Sequence, residues 1–236
     1  MRIEVIGSGE AFDCTHGNTA FYLSDARLLI DCGYQVPERV WKRSLIVDAV
    51  LLTHLHADHC FGLVPLLVRE HEEGRKKSFT ILGPQGVARS VRSLLELGYP
   101  GLCLKFRVRF VELKAGRRSQ FNGYLIESAA TEHSIPNLAH RVFKPKGKSV
   151  GISGDGALTE ESLALLSRCD LVFQEAYTRR PSPWKHADVD SLNQYDPSTL
   201  DRIVLTHLSR KDRRLITQFA RTRGIRVARA GETYRI

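Results

Sequence analysis

Cysteine is scarce in this 236-residue chain and never closely paired: Cys14, Cys32, Cys60, Cys103 and Cys169 stand singly, with no Cys-x-x-Cys among them. An odd, scattered set argues against a disulfide framework and for a reducing compartment. No apolar run approaches the roughly 18 residues that a membrane-spanning helix needs. The first residues run straight into the strand-like "RIEVIG", which leaves no room for a signal peptide. The expectation is a cytoplasmic protein with no membrane partner. No linker or low-complexity stretch divides the sequence, so residues 1–236 read as a single domain. There is no Gly-x-Ser-x-Gly elbow, and "VIGSGEAF" carries Phe12 where a dinucleotide loop needs its third glycine, so Gly7 and Gly9 read as a tight turn.

What the sequence has is positive charge. The formal net charge is +9, with 42% apolar and 26% charged residues. Basic residues cluster at Arg75–Lys77, at Arg117 and Arg118, at Lys144, Lys146 and Lys148, at Arg179 and Arg180, and over Arg210–Arg214. Such clusters are either a solvated surface or the footprint of a polyanionic partner such as a nucleic acid.

Period-two and unbroken apolar runs predict strands at Ile3–Ile6, Thr19–Leu23, Arg27–Asp31, Ala49–Thr53, Ser78–Leu82, Lys105–Leu113, Gln120–Glu127, Ser149–Ser153, Leu171–Gln174, Arg202–Thr206, Ile225–Ala228 and Thr233–Ile236. Helical spacing predicts helices over Phe61–Glu72, Gln85–Leu97, Thr159–Ser167 and Asp212–Arg223, the last burying Leu215, Ile216 and Phe219. Strand-rich blocks with interspersed helices suggest two sheets packed face to face with helices outside, an α/β architecture. "IVLTHLS" at Ile203–Ser209 echoes "AVLLTHLH" at Ala49–His56, which fits a pseudo-duplicated architecture with a histidine delivered at a strand end in each half.

The densest chemistry is "THLHADHC", where His54, His56, Asp58 and His59 fall within six residues just past an apolar run. From this composition of nine histidines and twelve aspartates the four-residue pattern arises by chance in about one chain in 1,500. In extended backbone His54 and His56 point the same way. Four metal-competent side chains on one turn exceed what a single tetrahedral ion easily uses, whereas two ions could take them all.

"THLHADH" resembles the His-x-His-x-Asp-His signature of the metallo-β-lactamase superfamily, and later segments match it in order. "TEHS" supplies His133, "VGISGDG" supplies Asp155 and "IVLTHLS" supplies His207, while "GNTAFYL", "LLIDCG" and "AGETYRI" resemble the family's outer strands. The resemblance implies a four-layer αββα sandwich with the metal site between the tops of two sheets. It implies two divalent ions, zinc first, with manganese or iron compatible with the same ligands. His54, His56 and His133 would hold one ion, Asp58, His59 and His207 the second, and Asp155 would bridge them. "EAY" at Glu175–Tyr177 and His186, which stands 21 residues before His207, are similar to the ribonuclease Z and phosphodiesterase branch. In that branch the histidine protonates the leaving oxygen, the glutamate orients it, and the aspartate matching Asp58 helps orient the nucleophile.

Three departures stand out. "HLSRKD" lacks the aromatic end of the branch's His-x-Ser-x-Arg-Tyr pattern. Ala187–Asp188 follows His186 in place of Ser-Thr. His133 and Asp155 lie only 22 residues apart, with no room for the long tRNA-gripping arm. The expected function is a dinuclear metal-dependent phosphodiesterase acting on RNA or a small phosphodiester, with a homodimer as an open possibility. The alternatives are hydrolysis of an aryl sulfate, lactone or thioester at the same metals, or a non-catalytic nucleic-acid-binding relative. Lys144, Lys146 and Lys148 read as a hairpin turn or a phosphate contact. Cys60 reads as a small packing residue, His16 as structural, and His71 and His140 as surface or strand histidines. Asp31 reads as a partner to loop backbone or to a ligand histidine.

Overall fold

The apolar runs "AVL", "LVFQ" and "IVLT" leave no polar side to face water, so their strands must be covered on both faces, as parallel strands are. The computed structural model describes residues 1–181 and 185–236. The first part of the chain forms β1 (Arg2–Gly7), β2 (Ala20–Leu23), β3 (Leu28–Ile30), α1 (Val36–Lys42), β4 (Ala49–Leu51), α2 (Ala57–Cys60), α3 (Leu63–Glu72), β5 (Phe79–Gly83), α4 (Val87–Gly98) and β6 (Val108–Glu112). Then come β7 (Arg118–Phe121), β8 (Tyr124–Thr131), β9 (Asn137–Phe143), β10 (Ser149–Ile152), α5 (Glu160–Ser167), β11 (Leu171–Glu175), α6 (Pro197–Leu200), β12 (Ile203–Thr206), α7 (Arg213–Thr222), β13 (Arg226–Val227) and β14 (Thr233–Arg235).

Among the described residues the strands form two seven-stranded sheets, ordered β14-β1-β2-β3-β4-β5-β6 and β13-β12-β11-β10-β9-β8-β7. Three apolar clusters separate four layers. The inner one holds Val5, Phe21 and Leu51 of the first sheet against Ile126, Phe173 and Val204 of the second. Phe21 and Phe173 meet across it with ring centroids 4.2 Å apart. A second cluster packs Val40, Leu63, Leu67 and Val91 of α1, α3 and α4 on the outside of the first sheet. A third packs Leu165 of α5 and Ile216 and Ala220 of α7 on the outside of the second. The order is helix, sheet, sheet, helix, as the resemblance implied.

Both sheets run through the same pairing sequence. Antiparallel pairs join β14-β1-β2-β3 and parallel pairs join β3-β4-β5-β6. Antiparallel pairs join β7-β8-β9-β10 and parallel pairs join β10-β11-β12-β13. The duplicated architecture is therefore present, but the "LTHL" echo is one strand out of step. His54 follows β4, whose counterpart in this pattern is β11, whereas His207 follows β12.

Several elements depart from the sequence expectation. The strand expected over Gln120–Glu127 is two strands of a hairpin, because Asn122 and Gly123 take φ of 46° and 78° and set Phe121 opposite Tyr124. Left-handed φ at both loop positions matches the right-handed twist of the flanking strands, which is why Asn-Gly favours this turn. Helix α1 and strand β9 were not expected. On α7 the buried positions are Ile216 and Ala220, and Leu215 is 55% exposed rather than buried. His140 is fully buried on β9, and Lys144, Lys146 and Lys148 turn the chain from β9 into β10.

Candidate metal centre

The parallel strands deliver their next residues to a common edge, the carboxyl ends where α/β sheets bind ligands. Asp31 follows β3, His54 lies just past β4, Asp155 follows β10, Glu175 ends β11 and His207 follows β12. His133 comes from the loop between the antiparallel β8 and β9. His56 is the residue before α2, and Asp58 and His59 lie on its single turn. Backbone strain aims two of these groups. Asp31 and His207 have φ of 59° and 53°, a left-handed conformation costly for side-chain-bearing residues. Asp155 sits between Gly154 and Gly156, with φ of 62° and 104°, and a Cβ on Gly156 would lie 2.5 Å from the Glu132 carbonyl oxygen.

All nine side chains singled out from the sequence converge. His54 Nε2 and His133 Nε2 each lie 3.1 Å from His56 Nδ1. Beside them Asp58 Oδ2 is 3.4 Å from His59 Nε2 and 3.3 Å from His207 Nε2. Asp155 spans both groups. Its Oδ2 is 3.8 Å from His54 Nε2 and 3.5 Å from His207 Nε2, and its Oδ1 is 3.5 Å from His59 Nε2. His186 Nδ1 approaches Glu175 Oε1 at 2.6 Å and Asp155 Oδ2 at 3.7 Å.

The other nitrogen of most of these rings is already engaged, which assigns the tautomers. His59 Nδ1 donates to Asp31 Oδ2 at 2.8 Å. Thr53 Oγ1 donates to Asp31 Oδ2 at 2.9 Å and accepts from His54 Nδ1 at 3.0 Å. His207 Nδ1 donates to Glu175 Oε1 at 3.1 Å, and His133 Nδ1 donates to the Lys185 carbonyl at 3.1 Å. With Nδ1 protonated, His54, His59, His133 and His207 each present a lone pair on Nε2. His56 joins the cluster through Nδ1. Lone pairs facing one another at 3.1 Å repel unless a cation lies between them, and the edge of a tetrahedral zinc–nitrogen shell is about 3.3 Å. Buried His59 Nε2 and Asp155 Oδ1 have no hydrogen-bond partner among the described residues, although orphaned buried polar atoms are rare. The donor set therefore fits metal ions. His54, His56 and His133 could hold one, and Asp58, His59 and His207 another.

The charge balance is that of a cation site. Burial opposes a second proton on His207, but Asp155, Asp58 and Glu175 outweigh it and push its pKa up to about 10, so Nε2 draws a cation, either a proton or the metal ion that would displace it. Burial and the neighbouring His59 pull His54 well below the ordinary imidazole value. His186 loses from burial but gains more from its hydrogen bond to Glu175 and from that carboxylate's charge, and ends above its usual value. Its ring stacks on Tyr177 with centroids 4.1 Å apart.

Several groups around the site were not read from the sequence. Thr53 is one. Asn137 is another, its Nδ2 donating to the Asp155 carbonyl at 2.6 Å and to Ser153 O at 3.3 Å. No local signal marks them, since their partners are distant in the chain. Asp31 takes the supporting role expected of it, and His16 bonds Asp13 Oδ2 at 2.8 Å outside the cluster. The lysine turn between β9 and β10 lies at the opposite end of the sheet from Asp155, so it does not reach this site.

A family profile described as anti-Pycsar protein Apyc1 matches residues 1–234. Ribonuclease Z from Methanosarcina mazei is 29% identical over 150 residues, covering 61% of this chain and 48% of that protein. The chain spans about half the length of the curated relatives it matches. Among solved structures, the metallo-beta-lactamase fold protein YhfI from Bacillus subtilis superposes at a TM-score of 0.79 with 18% identity, covering 99% of this chain and 98% of that one. Human tRNase Z, short form, superposes at 0.78 with 22% identity, covering 100% and 99%. The fold, the ordered histidines and aspartates, and a profile match running nearly end to end show that this chain belongs to the Apyc1 family, within the ribonuclease Z-like branch of the metallo-β-lactamase superfamily.

Proposed function

We propose that this chain is a dinuclear metal-dependent phosphodiesterase, with RNA or a smaller phosphodiester as substrate. His54, His56 and His133 would hold one ion and Asp58, His59 and His207 the other, with Asp155 placed to serve both. Zinc is favoured by the imidazole-rich donors. When bound, such a pair supplies an acidified water and offsets charge on the phosphoryl oxygens. The reading takes residues 1–236 as one domain, supported by β14 from the end of the chain pairing with β1 from its beginning.

The observation that carries the phosphodiester reading is the His186–Glu175 pair beside Asp155, at 2.6 Å and 3.7 Å. An alkoxide leaves phosphorus poorly, so it needs a proton as the P–O bond breaks. With Nδ1 held by Glu175, protonated His186 carries its transferable proton on Nε2. Glu175 Oε2 is itself fixed by the Gly156 and Ala187 amides at 2.7 and 2.9 Å, so the pair is rigid before substrate arrives. Asp58 accepts a hydrogen bond from the attacking water and aligns it on phosphorus. The ribonuclease Z relatives and the excess of basic residues support a nucleic-acid substrate.

The test is a leaving-group series. His186→Ala is expected to keep its metal and to lose about 10²–10⁴ in rate on alkyl phosphodiesters, while bis-(p-nitrophenyl) phosphate loses much less because nitrophenolate departs without a proton. Equal losses on both ester types would remove the acid role. Failure to hydrolyse any phosphodiester at full metal loading, with turnover of an aryl sulfate, lactone or thioester, would move the chain to another ester class.

A further inference from the structure

The chain's charge is lopsided. Residues 210–236 hold nine Lys or Arg against two Asp or Glu, a net +7 that leaves only +2 for the first 209 residues. Elsewhere about half of the clustered basic residues are paired internally. Arg75 pairs with Asp48 and Glu70, Lys77 with Asp48, and Arg118 with Glu127. In the last segment Arg210 and Arg213 are likewise paired, with Glu10 and Asp13. Arg221, Arg226 and Arg229 make no ion pair among the described residues, and all three are exposed.

These three residues line one continuous trough. A cavity of about 390 Å³ runs over Arg213, Thr217 and Arg229, and one of about 270 Å³ continues over Thr217, Arg221, Arg226 and Arg229. Its floor is the seam where β13 and β14, the edge strands of the two sheets, come together under α7. Positions 213, 217 and 221 repeat at four residues, so they share one face of α7, and Arg213 and Arg221 are about 12 Å apart along it. On the far wall the Arg226 guanidinium lies 5.4 Å over the Tyr234 ring. One carboxylate, Glu232, is present in the trough, and its Oε2 is engaged by the Arg229 amide and the Tyr234 hydroxyl at 3.1 and 2.9 Å.

One end of the trough lies close to the candidate metal centre. Its upper end is lined by His16, on the loop whose Asp13 pairs with Arg213, and Arg213 donates to Ser8 O at 3.0 Å. The same Ser8 carbonyl accepts the backbone N–H of His207 at 3.2 Å. Arg213, in the wall of the trough, and the candidate ligand His207 thus donate to the same backbone carbonyl.

We propose that this trough docks the phosphate backbone of single-stranded RNA and leads it toward the metal centre. The direction of travel rests on the phosphodiesterase reading; the docking itself does not. Exposed guanidiniums without a carboxylate partner, gathered along one trough, match a flexible polyanion, and release of its counterions supplies the affinity.

The test uses the metal-loaded full chain and a fluorescein-labelled, phosphorothioate-linked oligouridylate of about a dozen nucleotides. Anisotropy titrations over a range of salt should show affinity falling as salt rises. R221E/R226E/R229E should bind at least tenfold more weakly, and its log–log salt slope should be shallower by about 2, since each phosphate contact to a single strand contributes about 0.7. R221Q/R229Q, confined to exposed side chains, should show a smaller loss in the same direction, and thermal melts confirm that both variants fold. Hydrolysis of bis-(p-nitrophenyl) phosphate should be unchanged in both. Wild-type affinity and salt slope in two folded variants would overturn the proposal. So would polyglutamate binding as tight as the RNA and lost with the same substitutions, which would assign the trough to an acidic protein. If the wild type binds RNA through these arginines yet turns over no phosphodiester, the docking surface stands and the phosphodiesterase reading falls.

Discussion

At the scale of single residues, Glu175 links the proposed acid to a candidate ligand, because one oxygen takes both His186 Nδ1 and His207 Nδ1. Glu175→Gln should therefore differ from His186→Ala. Loss of a carboxylate that orients a ligand histidine typically costs 10–100-fold in metal affinity or activity, so metal titration should show weakened loading alongside slow turnover. Retention of full metal affinity in Glu175→Gln would detach it from His207. His140 is a different case, buried on β9 with Nε2 donating to the Leu52 carbonyl at 3.2 Å and Nδ1 accepting from Ser128 at 3.0 Å. Burial holds it neutral and pulls its pKa down to about 4. Unfolding below about pH 6.5 adds a proton to this ring, so its contribution is complete above that pH and is lost as pH falls toward 4. The difference amounts to about 3 kcal/mol. Chemical denaturation of His140→Gln should show a flatter loss of stability between those pH values than wild type; parallel curves would remove His140 as a cause of acid sensitivity.

At the scale of elements, two glycines with similar backbone strain should behave differently. Gly123, at φ 78° in the β7–β8 turn, has open space where a Cβ would go, so alanine there meets only the left-handed penalty of about 1–2 kcal/mol. That should lower Tm by a few degrees in a chain of this size and leave metal content intact. Gly156, at φ 104°, would drive a Cβ to 2.5 Å from the Glu132 carbonyl and displace the loop that carries Asp155. Gly156→Ala should lose metal as well as stability, measured by elemental analysis beside a thermal melt. Full metal content there would show that the Asp155 loop tolerates the shift. The same elements show where sequence patterning misleads. Gln120–Glu127 alternates well enough to read as one strand, and the turn inside it is marked only by Asn122–Gly123. On α7, helical spacing admits Leu215 to the apolar face, but the sheet beneath buries Ile216 and Ala220, covers Phe219 in part and leaves Leu215 exposed.

For the whole molecule, the centre joins both sheets through Asp155, His54 and His207, so bound ions should clamp the sandwich together. Anything that binds the folded state alone stabilises it by about 2.7 kcal/mol at a hundredfold excess over Kd. Chelation should lower Tm by several degrees, and zinc should restore it. An unchanged Tm after complete removal would mean the ligands hold their places without cations, against the orphaned His59 Nε2 and Asp155 Oδ1.

The sequence alone determined the chemistry of this protein: which side chains could bind metal, their order along the chain, and the two-sheet sandwich needed to gather them. The dense turn of His54, His56, Asp58 and His59 and the strand periodicity are local properties, visible within a few residues, whereas His133, Asp155 and His207 were joined to that turn by the family resemblance. Only the tertiary structure decided that Glu175 serves two histidines, that Thr53 and Asn137 brace the site, that the "LTHL" echo is out of step with the duplication, and that the last arginines line a trough under α7. Each depends on contacts between residues far apart in the chain, and such contacts are set by how the two sheets close on their shared core.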